Sequence, residues 1–443
     1  MKILNKKINL DISIALLAFA FYFIWSITLP YNTGPDEAMR YQIPQYILQY
    51  GKLPHGGDPI IRNNGWGISY AFTPILSYII SSFFMRIVRI FTDTEFALLT
   101  AARFASVLFS TGTVFMCVKI GKKLISKPYQ YLLAILVGFL PEFAFISAYV
   151  NNDALAIFST SLIIYFWIIG LESNWDLKSC IGLAIGISIC GLSYYNAYGY
   201  ILCSILLFII SFIWMNKNKH KKIFLILVRK GLLISGIVIA LIGWWFIRSY
   251  IIYDGDILGL KTSNEYAELY AFDYLKPSNR QTIIKQGKTI FYMLFKLGWL
   301  KSSFYSFIGI FDYLTFGLRG WMFFIYKSII AIGLIGCLLN LGNHFMKNRF
   351  KSQDLSYLGM VISSAITIFI SIFYSYTSDY QSQGRYCMPI IIPLMLFIVI
   401  GVKYLLKKCN PKTERVIISC LLINYVLISF IAYTIVIVPY YYH

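Results

Sequence analysis

The stretch "ISIALLAFAFYFIWSITLPYNTGPDEAMRY", residues 12–41, decides the fold. Residues 12–29 carry no charge and are close to the roughly 20 residues that cross a bilayer core. The chain then breaks at Pro30 and sets Asp36 beside Glu37 where the apolar phase ends. Two adjacent carboxylates there have either a helix-start role or a chemical one.

The apolar pattern recurs at 99–119, 129–149, 153–171, 179–195, 199–215, 231–251, 320–341, 355–375, 386–406 and 415–438, giving eleven spanning candidates. The chain is 58% hydrophobic and 13% charged, whereas a soluble domain is about a quarter charged. The expectation is an all-α polytopic membrane protein of about eleven transmembrane helices, one transmembrane domain over residues 1–443. Its cell-membrane location follows. The net charge of +20 reflects the Lys and Arg that gather in cytoplasmic loops rather than a nucleic-acid partner. The eight cysteines lie in or beside apolar runs without metal-ligand spacing. "MKILNKKINL" is a basic start, and no small-x-small cleavage site follows the first run, so an uncleaved anchor is expected. No GxxxxGK[ST] is present, which argues against an ATP-driven pump, and no internal repeat is evident.

Orientation follows from charge. If residues 71–91 do not cross, the short basic segments "KIGKKLISK", "NKNKHKKIFLILVRK", "KNRFK" and "KKCNPKTER" all fall on the side of the N-terminus, which is then cytoplasmic. Residues 71–91 therefore read as a juxtamembrane or half-inserted helix, with Arg86 and Arg89 snorkelling to the headgroups. Two large outer segments result, a first outer loop 30–98 with juxtamembrane helices and a second at 252–319. Most carboxylates then lie on the extracytoplasmic face, which becomes the active face.

In "TGPDEAMRY" Thr33 can cap, Pro35 suits a first helical position, and Asp36 and Glu37 sit in a first turn where the helix dipole favours anions. Pro44 is expected to break or kink this helix. "YGKLPHGGDPIIRNNGWG" follows as a loop carrying His55, Asp58 and Arg62. Asp153, in "YVNNDALAIF", opens the fourth span as a cap or a second acid, and Glu142 lies deeper as a cavity-lining candidate. Arg103, Arg248 and Arg385 sit at outer helix ends against the charge bias. Snorkelling explains Arg103; a guanidinium fork beside polar loops suits phosphate at Arg248 and Arg385.

"NNDAL", "WWFIRSYIIYDGDILG", "KSSFYSFIGIFD" and "QGRYCMP", taken with the acid pair, resemble the GT-C superfamily of membrane glycosyltransferases. The likeness is greatest to the dolichyl-phosphate-mannose and aminoarabinose transferase-like branch and a related bacterial family of multi-pass proteins. The resemblance implies an acidic motif in the first outer loop, at Asp36, and a second acid at Asp153. Two features depart from that branch: "GISYAFTPIL" stands where a Lys-Pro-Pro or His-Pro-Pro stretch is expected, and a large C-terminal soluble domain is lacking. A small or lipidic acceptor, or a partner protein, is then expected.

The function expected is transfer of a sugar from a polyprenyl-phosphate-linked donor to an acceptor hydroxyl of a lipid, glycan or protein in the cell envelope. The rival is a transporter or flippase of a lipid-linked glycan, which would use the same basic helix ends without chemistry. Asp36, Glu37 and Asp153 are the catalytic candidates, with Asp36 as base; Arg248, Arg385, His55, Arg62 and Tyr386 are the substrate-binding candidates. Trp66, Tyr70, Tyr194 and Tyr195 are candidates to stack on sugars or to form an interfacial belt. No cofactor is demanded; a divalent metal stays open, with Asp36, Glu37 and His55 as candidate ligands.

Overall fold

The computed structural model describes residues 9–217, 223–347 and 351–442. Residues 1–8 and parts of the basic segments 216–230 and 342–354 lie outside that description. The chain is helical almost throughout. In order come α1 (Leu10–Thr28), α2 (Glu37–Tyr50), α3 (Leu76–Arg89), α4 (Glu95–Leu124), α5 (Tyr129–Gly138) and α6 (Pro141–Ile146). They are followed by α7 (Asp153–Ser173), α8 (Leu177–Gly191), α9 (Tyr198–Asn216), α10 (Ile223–Ile252), α11 (Leu260–Tyr270) and α12 (Trp299–Gly309). The last are α13 (Gly320–Lys347), α14 (Asp354–Thr377), α15 (Ile391–Leu406), α16 (Pro411–Ala432) and α17 (Val438–Tyr442). Among the described residues the only sheet is a two-residue antiparallel pair, Ile310 against Gly317 and Phe311 against Phe316.

Nine of these helices are long and apolar enough to cross a membrane among the described residues, and the shorter apolar α5 and α8 fall on two more of the expected spans. The protein is a multi-pass membrane protein. The run 129–149 is not one helix: the chain stops at Gly138 and restarts with Pro141 at the first position of α6. Proline has no N–H to continue α5 and fits a helix start. α3 has 14 residues, about 21 Å, less than the roughly 30 Å of a hydrocarbon core. Arg86 on it does not simply snorkel; its Nη2 donates to the Ile47 carbonyl at 3.2 Å, while Arg89 pairs with Asp93 at 3.1 Å.

α1, α4, α5 and α7 pack together as the centre of the bundle, with α13 on α15 and α9 on α14 flanking it. α13 and α15 meet backbone to backbone, since a methyl group on Gly401 would lie 1.8 Å from the Gly333 carbonyl. A separate apolar cluster joins α2 (Tyr41, Ile43, Ile47) to α3 (Tyr78, Met85) and the start of α4 (Leu99, Ala102). The loop helices are thus anchored to the bundle. At the opposite end Lys122 pairs with Asp11, Lys123 with Glu172 at 2.6 Å, and Tyr129 with Glu414 at 2.6 Å. The expected cytoplasmic segments at Asp11, Lys122, Glu172 and Glu414 therefore share one end.

Candidate active site

Local backbone geometry frees Asp36 from helix duty. Asp36 precedes α2 in the left-handed region, φ 64°, and its side chain caps nothing. The capping acceptor is Asn32, whose Oδ1 takes the Ala38 N–H at 3.0 Å, while Thr33 turns back to the Pro30 carbonyl at 3.0 Å. The expected Thr33 cap and Pro35 helix start are thus replaced by Asn32 and Glu37. Pro44 lies inside α2 without ending it; the carbonyl of Arg40 loses its helical partner there.

The two neighbouring acids point to different partners. Glu37 is fully buried and clamped by Arg103, with Nε to Oε1 and Nη2 to Oε2 both at 2.7 Å. It also accepts the N–H groups of Asn32 and Val150, each at 3.0 Å. Arg103 does not snorkel: its remaining donors close the end of α1 on the carbonyls of Ser26, Leu29 and Pro30. Asp36 instead accepts from Arg385 Nη2 at 2.8 Å, and its N–H donates to the Tyr313 hydroxyl at 2.8 Å. Burial pushes the Asp36 carboxyl up, but Arg385, with Arg40 behind it, outweighs that and holds it below the ordinary carboxylate value.

Arg40 joins this group although the sequence reading passed over it. Its Nη1 donates to Asn152 Oδ1 at 2.9 Å and to Asp153 Oδ2 at 3.2 Å, and Nη2 stands 3.9 Å from Asp36 Oδ2. The guanidinium also lies 4.8 Å from the centre of the Tyr70 ring. The signal was an acid four residues before a base on one helix face. Asp153 does not cap α7, because the Asn151 Oδ1 takes the Ala154 N–H at 2.9 Å. It is an ion-pair partner of Arg40.

Arg385 is held by the tight segment Gly384–Ile390, which rests directly on α12. A side chain on Gly384 would collide with the Phe307 backbone, at 2.1 Å, and its N–H donates to Ser306 Oγ at 3.0 Å. Besides Asp36, Arg385 donates to the Pro35 carbonyl at 3.1 Å and to the Tyr386 hydroxyl at 2.9 Å. Its Nε, the Nε of Arg40, the Oε1 of Gln383 and the Tyr149 hydroxyl are buried without a hydrogen-bond partner. Asp36, Arg385, Asn32, Asn63, Trp66 and Tyr313 are among the residues that line a cavity of about 540 Å³. Glu142, buried with Oε2 unpartnered, does not line it.

The profile of the dolichyl-phosphate-mannose-protein mannosyltransferase family matches residues 71–244. The Archaeoglobus fulgidus oligosaccharyltransferase in its apo form is similar in structure, with a TM-score of 0.60 at 12% identity over 96% of this chain and 56% of its own. The A. fulgidus oligosaccharyltransferase AglB in complex with an inhibitory peptide and a dolichol-phosphate gives 0.59 at 11% identity, over 95% and 55%. ArnT from Cupriavidus metallidurans, bound to undecaprenyl phosphate, gives 0.50 at 12% identity, over 93% and 62%. In fold the chain is similar to these membrane transferases. It spans about half the length of the oligosaccharyltransferase structures it matches. A sequence search of curated proteins finds no match.

Within this fold the other candidates fall elsewhere. Arg248 donates Nη2 to the Pro54 carbonyl at 2.7 Å and stacks near Trp245. His55, with its ring 4.9 Å from that of Tyr253, lines a second cavity of about 950 Å³ bounded by Ile252–Leu258 and part of α11. Burial, aided by Arg248, keeps His55 below the ordinary imidazole value and therefore neutral near pH 7. Arg62 lies 3.7 Å over the Tyr270 ring and Arg280 5.0 Å over Trp66, so cation–ring contacts join the segments 30–98 and 252–319. The two phosphate candidates are not brought together: Arg248 neither lines the Asp36 cavity nor joins its ion-pair network.

The metal question turns on the donor set. Asp36 sits between two guanidinium groups, Glu37 is held by Arg103, and His55 faces another cavity. Among the described residues no three His, Cys, Asp or Glu side chains converge. These three candidates do not fit a cation.

Proposed function

We propose that the chain transfers a sugar from a polyprenyl-phosphate donor to an acceptor hydroxyl at the extracytoplasmic face. The observation that carries this reading is the Asp36–Arg385 pair, an ionised carboxylate and a buried guanidinium that line one cavity. Two fold neighbours hold lipids of this class, undecaprenyl phosphate and dolichol-phosphate. Arg385 would hold the donor phosphate through its fork. The acceptor oxygen would form its bond to the anomeric carbon as the bond to the phosphate oxygen breaks. Asp36 would take the acceptor's proton, and the departing phosphate would remain on Arg385. Phosphate leaves without an acid catalyst, so one carboxylate suffices, unlike the two of glycoside hydrolysis. Arg40 and Asp153 would hold Asp36 from behind, and Trp66 offers a face for the sugar.

The test is transfer by purified protein in detergent from a radiolabelled polyprenyl-phosphate monosaccharide to added acceptors. Labelled product supports a transferase. Its absence across acceptors, with labelled lipid moved across vesicles holding the protein, would favour a flippase instead.

A further inference from the structure

From Tyr274 to Phe311 the chain has six Lys and Arg residues and no Asp or Glu. Three of the six serve the loop itself: Lys276 pairs with Asp273 at 2.8 Å, Arg280 donates to the Leu275 carbonyl at 2.6 Å, and Lys285 binds the Pro277 and Ser278 carbonyls. The other three, Lys288, Lys296 and Lys301, are exposed. Exposed apolar side chains alternate with them: Phe291 at 68%, Phe295 at 66%, Leu300 at 41% and Phe304 at 39%. We infer that residues 284–304 form a membrane-interface element that binds the headgroups of anionic phospholipids.

Exposed phenylalanines are disfavoured in water and lysines are disfavoured in hydrocarbon, but both are satisfied at the headgroup boundary. A soluble polyanion would explain the lysines and leave Phe291 and Phe295 unexplained. The segment belongs to the expected outer loop, where the charge bias of membrane proteins gives no reason for basic residues, so a local anionic partner accounts for them.

The other side of the element carries a wall of the Asp36 cavity. Trp299 Nε1 donates to the Gln381 carbonyl and to Ser375 Oγ, both at 2.9 Å, and the Tyr380 hydroxyl donates to the Leu297 carbonyl at 3.0 Å. Asp379, Gln381, Gln383 and Arg385 line the cavity. Headgroup binding outside would therefore order the strip that presents Arg385 inside. The lipid contact itself does not depend on the transfer reading.

Hydrogen exchange of the full chain in nanodiscs tests it, comparing phosphatidylcholine alone with a mixture rich in phosphatidylglycerol. Amides of residues 284–304 should exchange severalfold more slowly in the anionic discs. A Lys288→Gln, Lys296→Gln, Lys301→Gln variant should lose that difference while its spanning helices stay as protected as in the wild type. Equal exchange in both discs would overturn the inference. So would slowing that survives in the triple variant, or protection by soluble polyphosphate in phosphatidylcholine discs with none from phosphatidylglycerol.

Discussion

Arg385 Nη2 donates to Asp36 Oδ2 at 2.8 Å, joining residues 349 positions apart in the chain. The bond ties the loop after α1 to the segment leading into α15. Asp36 reaches it because its backbone is left-handed and its side chain is released from capping α2. Arg40, four residues on, meets the same carboxylate from the helix side at 3.9 Å.

Asn is the substitution that isolates the charge of Asp36. It is among the few non-glycine residues at ease in the left-handed region, and its amide oxygen can still accept from Arg385. The Tyr313 contact uses the backbone N–H and survives. Asp36→Asn should therefore fold and bind donor while transfer falls about a hundredfold or more, the general-base scale. Transfer near the wild-type rate in folded protein would remove Asp36 as the base.

A pH profile separates Arg40 as a positioning residue from Arg40 as packing. Burial raises the Asp36 pKa, yet Arg385 and Arg40 hold it below the ordinary value of about 3.9. With a depressed folded pKa, its stabilising contribution is present above the unfolded pKa and lost as pH falls through the folded one. The acid limb of kcat/KM assigned to Asp36 should thus lie below about pH 4 in the wild type. Arg40→Gln should move that limb to higher pH, and Arg40→Lys should leave it nearer its native place. An unmoved limb in a folded Gln variant would assign Arg40 to structure alone.

Glu37 and Arg103 form a buried two-bond pair at 2.7 Å, with Arg103 also closing α1. Removing one charge leaves the other buried, which costs about 3–5 kcal/mol. Glu37→Gln should therefore lower thermal stability and yield far more than Asp36→Asn does. A Glu37→Gln protein as stable as the wild type would show that the pair is dispensable to the fold.

These contrasts mark what local pattern could and could not reveal. The spans, the acid pair and the odd placement of Arg385 were legible because apolar length and charge sign act locally. The stop at Gly138 was also written locally, in Pro141, but the apolar run hid it. Partnerships were not legible: Arg103 reads as a snorkelling residue until folding brings it 2.7 Å from Glu37, 66 residues away. Arg248 and Arg385 look alike in sequence, and only tertiary structure assigns them to different surroundings.

That difference gives the last prediction. Arg385 lines the cavity that also holds Asp36, whereas Arg248, which likewise has one buried unpartnered nitrogen, donates to the Pro54 carbonyl beside His55 and the larger cavity. A charge-assisted hydrogen bond contributes about 1.5–3 kcal/mol, roughly a tenfold to hundredfold change in affinity. Arg385→Ala should raise the donor KM by about that factor, and Arg385→Lys should recover only part of it, because a point charge lacks the fork. Arg248→Ala should leave donor saturation unchanged and act, if at all, on the acceptor side through the loop at Pro54 and His55. Measuring KM for donor and acceptor separately decides it. Equal donor defects in both Ala variants would mean that the two guanidinium groups serve one phosphate after all, with the loop at Pro54 closing toward Asp36 when donor binds.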